Sequence, residues 1–319
     1  MMNVLLVGAG LMAGEYANVL NAMNIKYTVV GRSENSAKRF KETQGVPVII
    51  GGLESLDDGF LQNYSHAIVA TTLESLEDNV LYLLDKGMKE ILVEKPGAVT
   101  EEGIERINKL SKKYEAKTYI AYNRRFYSSI MEARKRIEED GGLTSFLFEF
   151  TEWTHIIEKL NKTAFQLNNL FIGNSTHVVD AAFYIGGLPR ELQGYTQSKL
   201  VWHQKGSIFV GAGITMNDIP FSYHANWNAP GSWKLELLTN KNRFIFRPFE
   251  QLHTQKIGST AIEQVTFDDH LDTQFKPGLY RQLEQFLLGG DYGQLLSIED
   301  AARTFHWFYR ILGQHGGSV

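Results

Sequence analysis

Residues 4–13 read Val4-Leu5-Leu6-Val7-Gly8-Ala9-Gly10-Leu11-Met12-Ala13, and this stretch decides the fold. Four apolar residues in a row predict a short strand buried on both faces. The turn that follows has the spacing G-x-G-x-x-A and leads into a helical pattern from about Ala13 to Met23. Each small residue has a physical task in such a strand–turn–helix. Gly8 permits the tight turn, Gly10 lets a pyrophosphate approach the backbone, and Ala13 lets helix and strand pack closely. The amides at the helix N-terminus, around Leu11 and Met12, then face the phosphates of a dinucleotide. A second glycine pair, Gly211-Ala212-Gly213, lies inside an alternating pattern and predicts a bulge or a close contact instead.

Outward from this turn, Tyr27 to Val30, Val46 to Ile50, Ala67 to Ala70, Ile91 to Val93 and Thr118 to Ala121 repeat the strand theme. Between them, Leu73, Leu76, Val80, Leu83 and Leu84 share one helical face, as do Ile104, Ile107 and Leu110. Strands alternating with helices mean βαβ units and a parallel sheet. From about residue 143 the pattern changes. Phe146 to Thr151, Trp233 to Leu237 and Arg243 to Arg247 alternate large apolar residues with smaller or polar ones. That is the mark of antiparallel strands with one buried face. Two helical patterns, Tyr280 to Leu288 and Ile298 to Leu312, close the chain. The expected fold class is α/β. An N-terminal Rossmann dinucleotide-binding domain spans residues 1–121, and a C-terminal α+β domain on a largely antiparallel open sheet spans residues 122–319. The charged run Glu132 to Asp140 reads as a solvated helix face.

Composition narrows the chemistry. A chain of 319 residues, 43% apolar and 21% charged, fills its cores without covalent staples. It has no cysteine, which excludes thiol nucleophiles, disulfides and Cys-based zinc sites. A net charge of −4 leaves no basic footprint for nucleic acid. No apolar run reaches the roughly 18 residues of a membrane span. Met1 to Gly14 lacks the charge and cleavage pattern of a signal peptide, so a cytoplasmic protein is expected. There is neither a P-loop nor an H-E-x-x-H pattern, and no metal site is expected. Gly173-Asn174-Ser175 lacks the closing glycine of a serine-hydrolase elbow and is set aside.

The end of the second strand sets the expected cofactor. NAD sites usually place an acid there for the ribose 2′-OH, but this chain reads Val30-Gly31-Arg32-Ser33. Arg32 can stack on adenine and pair with a 2′-phosphate, helped by Ser33. NADP(H) is therefore expected to be preferred, with NAD(H) as the alternative. Lys38 and Arg39 either add a contact or face solvent. Thr71 and Thr72, after the fourth strand, join the cofactor candidates with Gly31 and Glu94. In Ile91-Leu92-Val93-Glu94-Lys95-Pro96 a lysine follows a buried strand directly, at the sheet edge where ligands of α/β folds bind. Tyr122, Asn123 and Arg124 follow the last parallel strand on the same edge and could hold cofactor or substrate oxygens. Arg125 and Phe126 read as anchors of the domain junction.

The glycine turn, Glu94-Lys95-Pro96, Tyr122-Asn123-Arg124-Arg125-Phe126 and His177-Val178-Val179-Asp180 occur in this order. Together they resemble the Gfo/Idh/MocA family of glucose–fructose oxidoreductase, inositol dehydrogenase and related sugar dehydrogenases, over nearly the whole chain. The resemblance implies that Lys95 lies beside the nicotinamide and the substrate hydroxyl, and that His177 is the general acid/base. It also implies a homodimer or homotetramer and a sugar-like small-molecule substrate, including nucleotide-linked sugars. The chain departs from the family pattern four residues before the histidine. An acid is common there, and this sequence has Gly173, followed by Asn174 as a candidate substitute. Asp180, three residues after His177, either orients the imidazole or serves the helix. Two other functions stay open: a dinucleotide-binding regulator without turnover, and a reductase of a non-sugar carbonyl or imine.

Overall fold

Val4 to Val7 have almost no solvent contact, and they form β1 (Asn3–Val7). The structure, a computed structural model, describes residues 2–57 and 59–313. After β1 come β2 (Lys26–Gly31), β3 (Val48–Ile50), β4 (His66–Val69), β5 (Glu90–Glu94) and β6 (Lys117–Ala121). They lie side by side in the order β3-β2-β1-β4-β5-β6, all parallel, and a short antiparallel strand Leu296–Ser297 closes the edge beyond β6. The winding reverses between β1 and β4. Their carboxyl ends therefore open the crevice in which α/β sheets bind ligands.

The crossover helices are α1 (Leu11–Ala22), α2 (Glu34–Gln44), α3 (Leu76–Asp85) and α4 (Glu101–Lys113). Helix α3 buries Leu76, Val80, Leu83 and Leu84, the face its periodicity predicts, while Leu73 falls in a single tight turn before it. Thr100 caps α4 by accepting from the Gly103 amide at 3.0 Å. Glu101 and Glu102 in its first turn, and Lys112 and Lys113 in its last, match the helix dipole.

Among the described residues, those up to Asn123 together with Leu271–Arg303 form one compact unit, and Arg124–His270 with residues 304–313 form a second. The expected boundary at 121/122 assigns residues 271–303 to the second domain; here the structure differs. The helix Leu279–Leu288 buries Leu279, Leu283, Phe286 and Leu287 in the core with Val4, Leu6, Ala13 and Leu20, and Leu296–Ser297 pairs with β6. The pattern Ile298 to Leu312 is likewise two helices, Ile298–Thr304 and His306–Ile311, one in each unit. Residues 314–319 of the expected second domain lie outside the described residues.

In the second unit, helix α5 (Ser128–Glu139) and strand β7 (Ser145–Phe150) come first. Then follow β8 (Pro189–Gln197), β9 (Ile208–Thr215), β10 (Pro220–Asn226), β11 (Trp233–Leu238), β12 (Asn242–Phe246), β13 (His253–Lys256) and β14 (Glu263–Gln264). The sheet order is β14-β13-β12-β11-β7-β10-β9-β8, antiparallel throughout except between β7 and β10. Phe146, Phe148 and Phe150 point to one buried face, where their rings meet Phe183, Phe221, Tyr223 and Phe209. Each such ring contributes roughly 1.5–3 kcal/mol by burial. Phe183 belongs to the helix Thr176–Gly186, which packs on β7 and β11. The glycines of β9 are close contacts, not a bulge: a Cβ on Gly211 would stand 2.4 Å from the Tyr223 ring, and one on Gly213 2.6 Å from the Phe221 ring. Among the described residues no helix is long and apolar enough to cross a membrane.

Candidate active site

The glycine turn is fixed from both sides. The Gly8 amide donates to Val30 O at 2.7 Å, and the Ala70 amide donates to Val7 O at 2.8 Å. Gly8 has φ +115°, and a Cβ there would lie 2.3 Å from the Ala70 carbonyl oxygen, so only glycine fits. At Gly10 the space is open: a Cβ would meet nothing within 4 Å. Gly10 is also the N-cap of α1, and no side chain caps that helix. Open space beside uncapped helix amides, next to Leu11 and Met12, fits a dinucleotide pyrophosphate.

Gly31 is buried at the end of β2, and Arg32 is exposed just beyond it. The Arg32 side chain lies across the Gly51-Gly52 turn, where a Cβ on Gly52 would come within 3.0 Å of Arg32 Cγ. Ser33 caps α2, its hydroxyl accepting from the Ser36 amide at 3.5 Å. That leaves the hydroxyl proton available to a ligand. Lys38 and Arg39 are both exposed. Thr71 and Thr72 follow β4; Thr71 accepts from Asn79 Nδ2 at 3.4 Å, and Thr72 Oγ1 sits 3.3 Å from Ser75 Oγ.

Lys95 is partly buried at the carboxyl end of β5, the strand beside β4. Glu94, just before it, accepts a 2.7 Å hydrogen bond from the hydroxyl of Tyr16 on α1. Burial pushes the Glu94 carboxyl above its usual range, while the Tyr16 bond and the charges of Lys95 and Lys276 pull it back down. Burial and the neighbouring carboxylate raise the Tyr16 phenol well above its ordinary value. Tyr122 is buried after β6, and Asn123 donates through Nδ2 to Pro277 O at 2.9 Å, anchoring the segment that leads into the helix Leu279–Leu288.

The remaining candidates are in the second unit. His177, 8% exposed, lies in the first turn of the helix Thr176–Gly186, its ring 6.2 Å from that of Trp233. The guanidinium of Arg124 lies 4.7 Å over the same indole and 5.7 Å from the Tyr127 ring. Asp180 takes a two-pronged grip from Arg125, with Nη2 to Oδ1 at 2.6 Å and Nε to Oδ2 at 2.9 Å. The grip ties the helix Thr176–Gly186 to the short turn Asn123–Phe126 that holds Arg125. A wide π-type turn, Phe171–Ser175, precedes the helix and contains both Gly173 and Asn174. Asn174 Nδ2 donates to both oxygens of Glu152, at 3.1 and 3.0 Å, and Ser175 Oγ donates to Oε1 at 2.6 Å.

One unit thus gathers the glycine turn, Arg32, Thr71, Glu94 and Lys95, and the other gathers Arg124, Asn174 and His177. Tyr16, Trp233 and Glu152 escaped the sequence reading. Tyr16 had one usable signal: a phenol on an otherwise aliphatic helix face must find a polar partner when buried. Among the described residues no group of three or more His, Asp or Glu side chains could hold a metal ion.

Residues 2–122 match the GFO_IDH_MocA family model, described as "Oxidoreductase family, NAD-binding Rossmann fold". Over these residues the chain is similar to the NAD-binding Rossmann domain of the Gfo/Idh/MocA oxidoreductases. No curated protein matches the chain in sequence. Over both units the fold is that of solved oxidoreductases. Levoglucosan dehydrogenase, in complex with NADH and levoglucosan, superimposes with a TM-score of 0.77 at 17% identity, covering 98% of this chain and 96% of that one. An oxidoreductase from Agrobacterium radiobacter in complex with NAD+, L-tartaric acid and magnesium gives 0.77 at 13% identity, with the same coverage of 98% and 96%. A UDP-N-acetylglucosamine 3-dehydrogenase from Acidithiobacillus ferrooxidans gives 0.74 at 11% identity, covering 98% and 97%.

Proposed function

We propose that the chain is an NAD(P)-dependent dehydrogenase or reductase acting on a hydroxyl or carbonyl of a sugar or sugar derivative. The observation that carries this reading is the placement of Lys95. It directly follows β5, next to β4, whose carboxyl end meets the glycine turn at Gly8 and Ala70. When bound there, the nicotinamide supplies hydride transfer. The chain supplies position and a path for the hydroxyl proton, with Lys95 and His177 as its acid/base groups. Levoglucosan and UDP-N-acetylglucosamine, named for two of the similar structures, support a sugar-like substrate. Arg32 and Ser33, in place of an acid, support a preference for NADP(H). Leu147, Ile214 and Ile245, partly exposed on the outer face of the second sheet, support association into a homodimer or homotetramer.

The test is direct. The purified protein is mixed with NAD+ or NADP+ and a panel of sugars, or with NADPH and ketosugars, while nicotinamide absorbance is followed. Oxidation or reduction that depends on both partners supports the reading. Tight cofactor binding without turnover on any member would favour a regulator instead.

A further inference from the structure

Two arginines follow one another in the turn Asn123–Phe126, and their side chains are treated differently by the fold. Arg125 is buried and holds both oxygens of Asp180, at 2.6 and 2.9 Å. Arg281 is also buried and donates to Asp272 at 2.9 Å. Arg124 has no such counter-ion. Among the described residues its side chain makes no hydrogen bond and no ion pair, and its Nε is buried without a partner. Its surroundings are aromatic: the guanidinium carbon lies 4.7 Å from the centre of the Trp233 ring and 5.7 Å from that of Tyr127. Trp233 in turn has its ring 6.2 Å from that of His177.

A guanidinium keeps its charge at any physiological pH, so its burial cannot be relieved by loss of a proton. Aromatic faces attract the charge, but they leave the N–H donors without a strong acceptor. Holding a partly buried cation in this way costs free energy on folding, and an anion that pairs with it offsets that cost. The donors form a planar fork that matches two oxygens of a carboxylate or a phosphate. Contact with two rings restricts the fork to few orientations, which reduces the entropy lost on binding.

We infer that Arg124 sets substrate specificity by pairing with an anionic group, a carboxylate or a phosphate, on the sugar derivative. Trp233 borders both Arg124 and His177, so an anion held at Arg124 brings the rest of the molecule to the ring beside the proposed proton-transfer group. A neutral sugar leaves the guanidinium unpaired and is discriminated against. The inference rests on the reading of the chain as a sugar dehydrogenase.

The test compares D-glucuronate and D-glucose 6-phosphate with D-glucose on the full chain at saturating cofactor, by turnover and by calorimetric binding. The wild type is expected to favour one of the acids over glucose by about tenfold or more. Arg124→Gln should cut that ratio about tenfold to a hundredfold, the usual effect of losing bonds to a charged group, while the cofactor Kd holds. Arg124→Lys keeps the charge without the fork and should retain part of the preference. A preference for glucuronate marks a carboxylate as the ligand, and one for glucose 6-phosphate marks a phosphate. A wild type that favours glucose or binds neither acid overturns the inference. So does a ratio unchanged in Arg124→Gln, or a loss confined to cofactor affinity. If Arg124→Gln does not fold, Arg124→Lys and the wild-type preference decide the question. Turnover of glucose with no preference for either acid sinks the inference and keeps the dehydrogenase reading. An acid that binds through Arg124 and is never oxidised does the reverse.

Discussion

The hydroxyl of Tyr16 and the carboxylate of Glu94, 78 residues apart in sequence, are joined by a 2.7 Å hydrogen bond. The bond ties the helix that starts at the glycine turn to the residue before Lys95. Both groups sit where burial disfavours charge, and Glu94 is already pushed up by desolvation. Tyr16→Phe removes one of the contacts that pull Glu94 down, so its carboxyl should titrate higher still. Because the folded pKa is raised, ionising Glu94 costs stability, and that cost appears as pH rises through the folded value. With Glu94 ionised the lost bond is worth roughly 1.5–3 kcal/mol, and with Glu94 protonated nearer 0.5–1.5 kcal/mol. Urea unfolding of wild type and variant should therefore differ more at neutral pH than in acid. Equal losses at both pH values would show that the bond does not carry the charge of Glu94.

For the proposed proton transfer, Lys95→Ala and His177→Ala should each reduce turnover by roughly 10²–10⁴-fold, the range for losing a positioned acid or base. Cofactor affinity should persist in both, because the glycine turn and the open N-terminus of α1 are untouched. Single-turnover rates on the true substrate check this. Near-native rates in both variants would remove the pair from the mechanism.

Cofactor choice is tested at the end of β2. NADP(H) carries a 2′-phosphate that an acid there would repel; the chain offers Gly31, then Arg32 lying over the Gly52 turn and the Ser33 hydroxyl. A bond from a guanidinium to an ionised phosphate contributes roughly 1.5–3 kcal/mol, which is about tenfold or more in affinity. Titration should show tighter binding of NADP(H) than NAD(H), with the gap shrinking in Arg32→Ala. Equal affinities in the wild type would sink the assignment.

How much of this was legible in the sequence follows from the physics of each element. Strands β1, β4 and β5 are buried on both faces, so they appear as unbroken apolar runs. Pro189–Gln197, which forms β8, is largely solvent-facing and carries Arg190, Glu191 and Gln193, so no apolar alternation announces it. An apolar helix face such as Leu279, Leu283 and Phe286 shows that a core is filled, but not which one; the first unit claims it. Lys95 and His177 stand in recognisable local patterns. The pairing of Asp180 with Arg125 spans 55 residues and leaves no local trace. Glu152 is hidden for the same reason: its partners Asn174 and Ser175 lie beyond two short helices, and only the fold brings them to the end of β7.

Acid sensitivity should centre on His203. Its imidazole has no solvent exposure, packs 4.8 Å from the Trp227 ring, and meets Gly206 O through Nδ1 at 2.7 Å. The carbonyl can only accept, so Nδ1 carries the proton in the neutral ring. Nε2 is buried without a hydrogen-bond partner, so a second proton would be stranded there. Burial lowers the pKa from 6.5 to about 4, with Lys205 adding to the shift and the bond to Gly206 opposing it. The unfolded chain takes up this proton below about pH 6.5, whereas the folded chain refuses it until about pH 4. Stability is therefore full above the unfolded value and falls as pH drops through this window, by about 3 kcal/mol in total. His203→Asn keeps a donor for Gly206 and cannot titrate. It should lose stability at pH 7 through lost packing on Trp227, yet its stability should fall less steeply from pH 6.5 to 4, by close to one proton in slope. Urea denaturation at several pH values measures both curves, and parallel curves would remove His203 as the acid-sensitive group.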